Sequence, residues 1–221
     1  MDLVLSPLDA TPDDGPVEIV EHKGLGHPDT ICDALAETVS RTLCLLYRER
    51  CGTILHHNVD KALLRGGASR PAFGGGEMLA PIEIQLAGRA TAEVGGVALP
   101  IAERAGEACR AWLRASLHAL DVARDVRLAV LTRPGSAELR DVCAAREGAW
   151  LANDTSIGVG VWPPTRLESM VLAVADGLDR RRVALPPELG EDVKILAIRR
   201  DDRVALTVAC AFVDRFVRDA A

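Results

Sequence analysis

The sequence predicts an α+β fold organised as two related units. Three observations lead there. Segments with the helical period alternate with segments of strand period, rather than the chain being all one kind. The order strand, helix, strands is followed by a second polar and glycine-bearing segment, another helix and more strands. Finally, 221 residues with 48% hydrophobic and 26% charged side chains suffice for one large or two small cores, and both charge signs are interspersed. The expected division is a flexible N-terminus over 1–16, a first unit over 17–120 and a second over 121–221.

Each element has a local reason. Residues 17–21 alternate apolar and polar as a short strand and run into the loop Lys23, Gly24, Leu25, Gly26. A helix follows, because Pro28 suits a first turn, Asp29 favours the positive end, and Ile31, Leu35, Val39, Leu43 and Leu46 recur at helical spacing. It should stop near Gly52. Residues 53–59 read as a second strand, 66–76 as a loop with five glycines in eleven residues, and 81–91 as a half-buried strand alternating Ile82, Ile84 and Leu86 with Glu83 and Gln85. A second helix is expected over 101–120 and a strand over 126–132. A polar-glycine segment at 153–160 precedes a helix at 165–179 and a break at Pro186 and Pro187. A closing hairpin of 193–198 and 204–213 turns at Asp201 and Asp202.

Composition narrows the function. The net charge is -6 and no basic run is longer than three residues, so a nucleic-acid partner is not expected. The opening residues lack a basic start and an apolar stretch, and no apolar run is long enough to cross a bilayer, so the expected location is cytoplasmic with no membrane partner. Six cysteines without any C-x-x-C spacing read as free, buried thiols, with neither a zinc site nor a disulfide framework. Of 26 basic residues only Lys23, Lys61 and Lys194 are lysines. A coding bias toward arginine explains the ratio but not the positions, and an ammonium is a compact charge that guanidinium does not mimic at a tight phosphate or carboxylate site.

Those lysines lie in or beside three polar clusters. Residues 21–29, EHKGLGHPD, form a loop entering a helix N-terminus. Free amides and the helix dipole attract anions there, glycines let backbone approach a phosphate, and Lys23 and His27 can neutralise or protonate developing charge. Asp29 could hold a divalent cation bridging phosphate oxygens. An ordinary helix start accounts for the same residues, because a carboxylate in the first turn stabilises any helix. In HHNVDK, 56–61, adjacent histidines on a strand point to opposite faces, which weakens a shared-metal reading. One of them is then a hydrogen-bonded core or interface residue, and Asp60 with Lys61 makes at least an ion pair. The third cluster is NDTSIGVG, 153–160, followed by GEDVK at 190–194.

Taken in order, KGLGHPDTICD, HHNVDK, GGASRPAFGGGE with PIEIQLAGRAT, NDTSIGVG, and GEDVKILAIRR with LTVACAFVDR closely resemble the archaeal-type S-adenosylmethionine synthetases, or methionine adenosyltransferases. The resemblance runs from about Val17 to Val217 and covers the first half of the family's length. It implies related α+β units around a pseudo-threefold axis, with the third unit incomplete or missing here, and subunits meeting sheet to sheet with active sites between them. The implied reaction joins ATP and methionine into S-adenosylmethionine, releasing pyrophosphate and phosphate, with Mg2+ and K+ as ions. By position in these motifs, His27 and Lys194 are the implied catalytic residues and Asp29 the metal ligand. Lys23, Gly26, Asp60, Lys61, Asn153, Asp154 and Asp192 are the implied substrate contacts.

Two departures shape the expectation. After NDTSIGVG the chain reads VWPPTRLES, so Trp162 and Arg166 stand where the family has a different aromatic and a more acidic run. The family's later groups, a second metal-binding aspartate, an arginine in a glycine-rich segment and a late lysine, have no counterpart here. The expected protein is therefore one subunit of a split synthetase, a homo- or hetero-oligomer active with a chain carrying the C-terminal half. The alternatives are a catalytically silent regulatory subunit of a full-length synthetase, or a self-sufficient ATP-dependent adenosyl transferase or tripolyphosphatase.

Overall fold

A computed structural model describes residues 4, 6, 13, 15–135, 160–180 and 186–220. In chain order they form β1 (Val17–Lys23), α1 (Pro28–Cys51), β2 (His57–Arg65), β3 (Ala68–Arg70), β4 (Glu77–Ala80), β5 (Ile82–Ala90), β6 (Glu93–Val94) and β7 (Val97–Ala98). Then come α2 (Ile101–Ser116), α3 (Val122–Asp125), β8 (Val126–Arg133), α4 (Arg166–Arg180), β9 (Leu189–Arg200) and β10 (Arg203–Phe212). The class is α+β, as expected. Segment 1–16 lies largely outside the described residues, and Asn153 and Asp154 lie outside them entirely.

One sheet has the order β2-β5-β8, with β5 antiparallel to β2 and parallel to β8. Its inner face is covered by α1 and α2. Helix α1 buries Ile31, Leu35, Val39, Leu43, Leu46 and Tyr47, the stripe its sequence periodicity sets. Gly52 ends it in the left-handed region at φ 74°, donating its N–H to the Arg48 carbonyl. Helix α2 adds Ile101, Ala105, Cys109 and Leu113 to the same core, opposite Ile84, Leu86 and Ala90 of β5. Each fully buried large side chain there contributes about 1.5–3 kcal/mol. His57 is the partly buried, hydrogen-bonded histidine of the HHNVDK motif: its Nδ1 lies 2.9 Å from the Leu55 carbonyl and its Nε2 3.2 Å from Ser40 Oγ, with the ring tilted against Tyr47.

The other sheet has the order β1-β9-β10, all antiparallel. Helix α4 packs Leu167, Val171 and Ala175 onto Val193, Ile195 and Ala197, a helical repeat of four meeting a strand repeat of two. Its start is a reciprocal capping box. Glu168 accepts from the Thr165 N–H at 2.7 Å, and the Thr165 hydroxyl accepts from the Glu168 N–H at 3.0 Å. The β9–β10 hairpin turns at Asp201 and Asp202, with Asp201 at φ 50°.

The sheets trade strands relative to a division at residue 120. Strand β1 pairs with β9, and β8 pairs with β5. Long-range pairing, which no local pattern encodes, decides membership. Boundaries also move: β2 runs on to Arg65, α2 ends at Ser116 and β9 begins at Leu189. The second strand begins at His57 rather than residue 53, because its register with β5 runs from His57 opposite Ala90 to Arg65 opposite Glu83. The glycine-rich segment is not all loop: β3 pairs with β4 across it, and Asp214 Oδ2 accepts from the Gly76 N–H at 2.8 Å. The faces away from the helices carry exposed apolar side chains, Ile19 at 64% and Leu63 at 60% exposure. Of the cysteines described, Cys109 is buried, while Cys32, Cys44, Cys51 and Cys210 are partly so.

Candidate functional site

The site forms where β1 runs off the edge of its ladder with β9. Lys23 is the last paired residue, directly opposite Lys194, so both side chains share one face. The ladder continues through the loop: Gly24 donates its N–H to the Val193 carbonyl at 2.7 Å and Gly26 to the Glu191 carbonyl at 2.9 Å. Gly26 lies so close to β9 that a Cβ would sit 2.5 Å from the Asp192 nitrogen and 2.5 Å from the Glu191 carbonyl carbon. Only glycine fits there.

His27 then caps α1. Its backbone is extended at φ -67° and ψ 137°, and its Nδ1 accepts from the Asp29 N–H at 3.1 Å. With Nδ1 accepting, the neutral ring carries its proton on Nε2. Pro28 follows at the first helical position, where its missing N–H costs nothing.

A chain of alternating charges crosses the cluster. Lys23 Nζ donates to Asp29 Oδ2 at 2.5 Å and lies 3.8 Å from Glu21 Oε2, while Lys194 Nζ is 2.5 Å from Glu21 Oε1. The Lys194 ammonium bonded to Glu21 holds that carboxyl below its usual range, and the Lys23 ammonium does the same to Asp29. Reciprocally, the bond to Asp29 raises Lys23. Asp192 and Lys194 are exposed and two apart on β9, on the face away from buried Val193 and Ile195. Two ammonium groups are thus held at a helix N-terminus by two solvent-exposed carboxylates, and a polyanion can take the carboxylates' place.

Of the residues the sequence singled out, Lys23, Gly26, His27, Asp29, Asp192 and Lys194 come together here. Asp60 and Lys61 do not join them. They sit on β2 in the other sheet, where Lys61 Nζ lies 3.1 Å from Asp60 Oδ1 and both are exposed. Asp60 is the extra residue of a β-bulge, and it lines a separate cleft with Asn58, Gly88, Arg89, Thr132 and Arg133. Glu21 carried no assigned role in the sequence reading, although its i, i+2 relation to Lys23 on a strand places both on one face.

Among the described residues no three His, Cys, Asp or Glu side chains cluster closely enough to enclose a metal ion. Asp29 offers one hard, exposed carboxylate, which fits Mg2+ of the kind that completes its shell with phosphate oxygens and water. No helix among the described residues is long and apolar enough to cross a membrane.

The sequence matches known proteins along nearly its whole length. Residues 4–221 match the family S-adenosylmethionine synthetase (AdoMet synthetase). The S-adenosylmethionine synthase of Methanothermobacter marburgensis is 44% identical over 219 residues, 98% of this chain and 55% of that protein. The probable S-adenosylmethionine synthase of Aquifex aeolicus is 47% identical over 206 residues, 91% of this chain and 52% of the relative. An unusual S-adenosylmethionine synthetase from Campylobacter jejuni overlays with a TM-score of 0.49 at 14% identity, covering 88% of this chain and 48% of that one. The chain spans about half the length of the curated relatives it matches. With a family match along nearly its whole length and these identities, the chain belongs to the S-adenosylmethionine synthetase family.

Proposed function

We propose that this protein makes S-adenosylmethionine from ATP and methionine, releasing pyrophosphate and phosphate, and that it acts in an assembly with a complementary chain carrying the family's C-terminal half. The observation that supports it best is the convergence of Lys23, His27, Asp29, Asp192 and Lys194 at the N-terminus of α1, drawn from two segments far apart in sequence. In this reading the methionine sulfur attacks C5′ of ATP and the C5′–O bond breaks, its electron pair leaving on tripolyphosphate, which is then hydrolysed. Lys23 and Lys194 release their carboxylates and bind phosphate oxygens. His27 presents Nε2–H to the bridging oxygen, because Nδ1 is occupied by the Asp29 N–H. Asp29, freed from Lys23, would hold Mg2+, which neutralises phosphate charge. Asp60, Lys61, Asn153 and Asp154 are read as substrate contacts on their motif positions alone, and Gly26 lets the loop approach the phosphates.

The test is to purify the chain with a candidate second half and follow S-adenosylmethionine formation. The complex should be active, and His27→Ala should lower its rate by about 100-fold or more. A stable stoichiometric complex that forms no product would overturn the reading. A complex in which His27→Ala equals the parent would favour a silent regulatory subunit. Phosphate release from ATP by the chain alone would instead favour a self-sufficient enzyme.

A further inference from the structure

Outside the charged cluster, the segment joining α2 to α3 makes an unusual contact with β9. His118 Nδ1 lies 2.6 Å from Glu191 Oε1, and the same oxygen accepts the His118 backbone N–H at 3.3 Å. On the other side of the ring, Nε2 lies 3.0 Å from the Pro187 carbonyl oxygen. Both neighbours are acceptors, so a ring with a proton on each nitrogen satisfies both and a neutral ring satisfies one. The ring also stacks on Phe216, centroids 5.8 Å apart at 16°. The Arg215 guanidinium lies 5.4 Å from the Phe216 ring centre and donates to the Ala119 carbonyl.

Glu191 is the residue on which the loop rests. Its side chain is only 6% exposed, its carbonyl accepts the Gly26 N–H, and its peptide with Asp192 is the surface Gly26 packs against. A buried carboxylate is held in place by its partners, and losing one of them costs desolvation that is no longer offset. Displacing Glu191 would shift the peptide under Gly26 together with Asp192, and with them the distance between the loop and Lys194.

We infer that His118 is a positioning residue for the phosphate-binding loop: clamped between Glu191 and the Pro187 carbonyl, it fixes the Glu191–Asp192 peptide against Gly26 and so sets His27 relative to Lys194. His118 touches none of the reacting groups. It acts from the turn between α2 and α3, which belong with the other sheet, so it also joins the two halves of the fold at the site. This inference rests on the reading of the loop as a triphosphate site.

The experiment uses the full chain with His118→Ala, His118→Gln and the double variant His118→Ala with Glu191→Gln. Amide hydrogen exchange is read for residues 24–27 and, as an internal control, for the core of α1. Affinity for tripolyphosphate with Mg2+ is read by calorimetry. In His118→Ala, loop exchange should rise and tripolyphosphate binding weaken, each by about tenfold, with the α1 core unchanged. His118→Gln, which keeps a donor, should recover part of both, and so should the double variant, which removes the buried charge that His118 had faced. Unchanged loop exchange in folded His118→Ala would overturn the inference, as would a rise that extends equally into the α1 core. A parent chain that does not bind tripolyphosphate would count against the triphosphate reading, while the exchange data would still decide the positioning role. If His118→Ala does not fold, His118→Gln decides, and its failure to fold would mark the residue as structural and overturn the inference.

Discussion

Replacing Gly26 by alanine tests whether the loop's closeness to β9 is what the site requires. The added methyl would lie 2.5 Å from two backbone atoms of β9 and 2.8 Å from the Glu191 Cβ, where ordinary contact begins at 3.4 Å. Backbone cannot rotate away, so the loop must retreat by about 0.9 Å, stretching the 2.9 Å bond from Gly26 to the Glu191 carbonyl. Such overpacking costs about 1–3 kcal/mol of stability. The larger consequence is for chemistry, because His27 is the next residue and a displacement of about 1 Å can cost about 100-fold in rate. Gly52→Ala is the matched control. It forces a positive φ of 74° on a side chain but clashes with nothing, in open space at the far end of α1, and it should cost about 1 kcal/mol. Thermal melting and S-adenosylmethionine formation in the active assembly are measured for both. Comparable melting losses with a large rate loss in Gly26→Ala alone are expected. If Gly26→Ala turns over like the parent, the close approach is not what positions His27.

Other expectations are independent of that one. Lys194→Met removes the cation bonded to Glu21, so the Glu21 carboxyl should titrate higher than in the parent by carbon NMR, and tripolyphosphate affinity should fall; an unmoved Glu21 titration would contradict the pairing. Tyr47 is the chain's one tyrosine and is fully buried with its hydroxyl on the Thr91 carbonyl, and burial pushes it from 10.0 up to about 12. Its folded value is raised, so its stabilising contribution is intact below pH 10.0 and drains away as pH climbs toward 12. Phenolate absorbance should accordingly appear late and together with unfolding. The Cys109 thiol is pushed up to about 11 by burial; peptide mass spectrometry after alkylation at pH 8 should find it unmodified in the folded chain and modified once denatured.

The strength of local signals explains what was legible beforehand. Helix α1 was readable because Pro28, five apolar residues at helical spacing and Gly52 all agree, and the Asp201 turn because two polar residues separate two strand patterns. The charged loop was readable as a set of residue types with a chemistry in common. Its geometry was not, because the contacts that build it link Lys23 to Lys194 and Gly26 to Glu191 across most of the chain. The same holds for the strand exchange between sheets and for His118, whose partner lies in a distant strand and whose own segment looks like plain connection. The bulge at Asp60 was hidden for a different reason: it depends on Gly88, where a Cβ would run into the Asn58 carbonyl.

The antiparallel pairing of β1 with β9 also has a consequence for biosynthesis. Strand β1 (Val17–Lys23) leaves the ribosome long before its hydrogen-bonding partner β9 (Leu189–Arg200) is made. At about 5–20 residues per second the strand waits on the order of ten seconds or more, with its edges open and Val17 and Ile19 uncovered. Glu18, Glu21 and Lys23 interrupt that apolar pattern at every second or third position, and charges so placed discourage pairing with other nascent chains. Lys23, proposed above to bind phosphate, and the two glutamates therefore have an earlier task, keeping an orphan strand from finding the wrong companion before its own arrives.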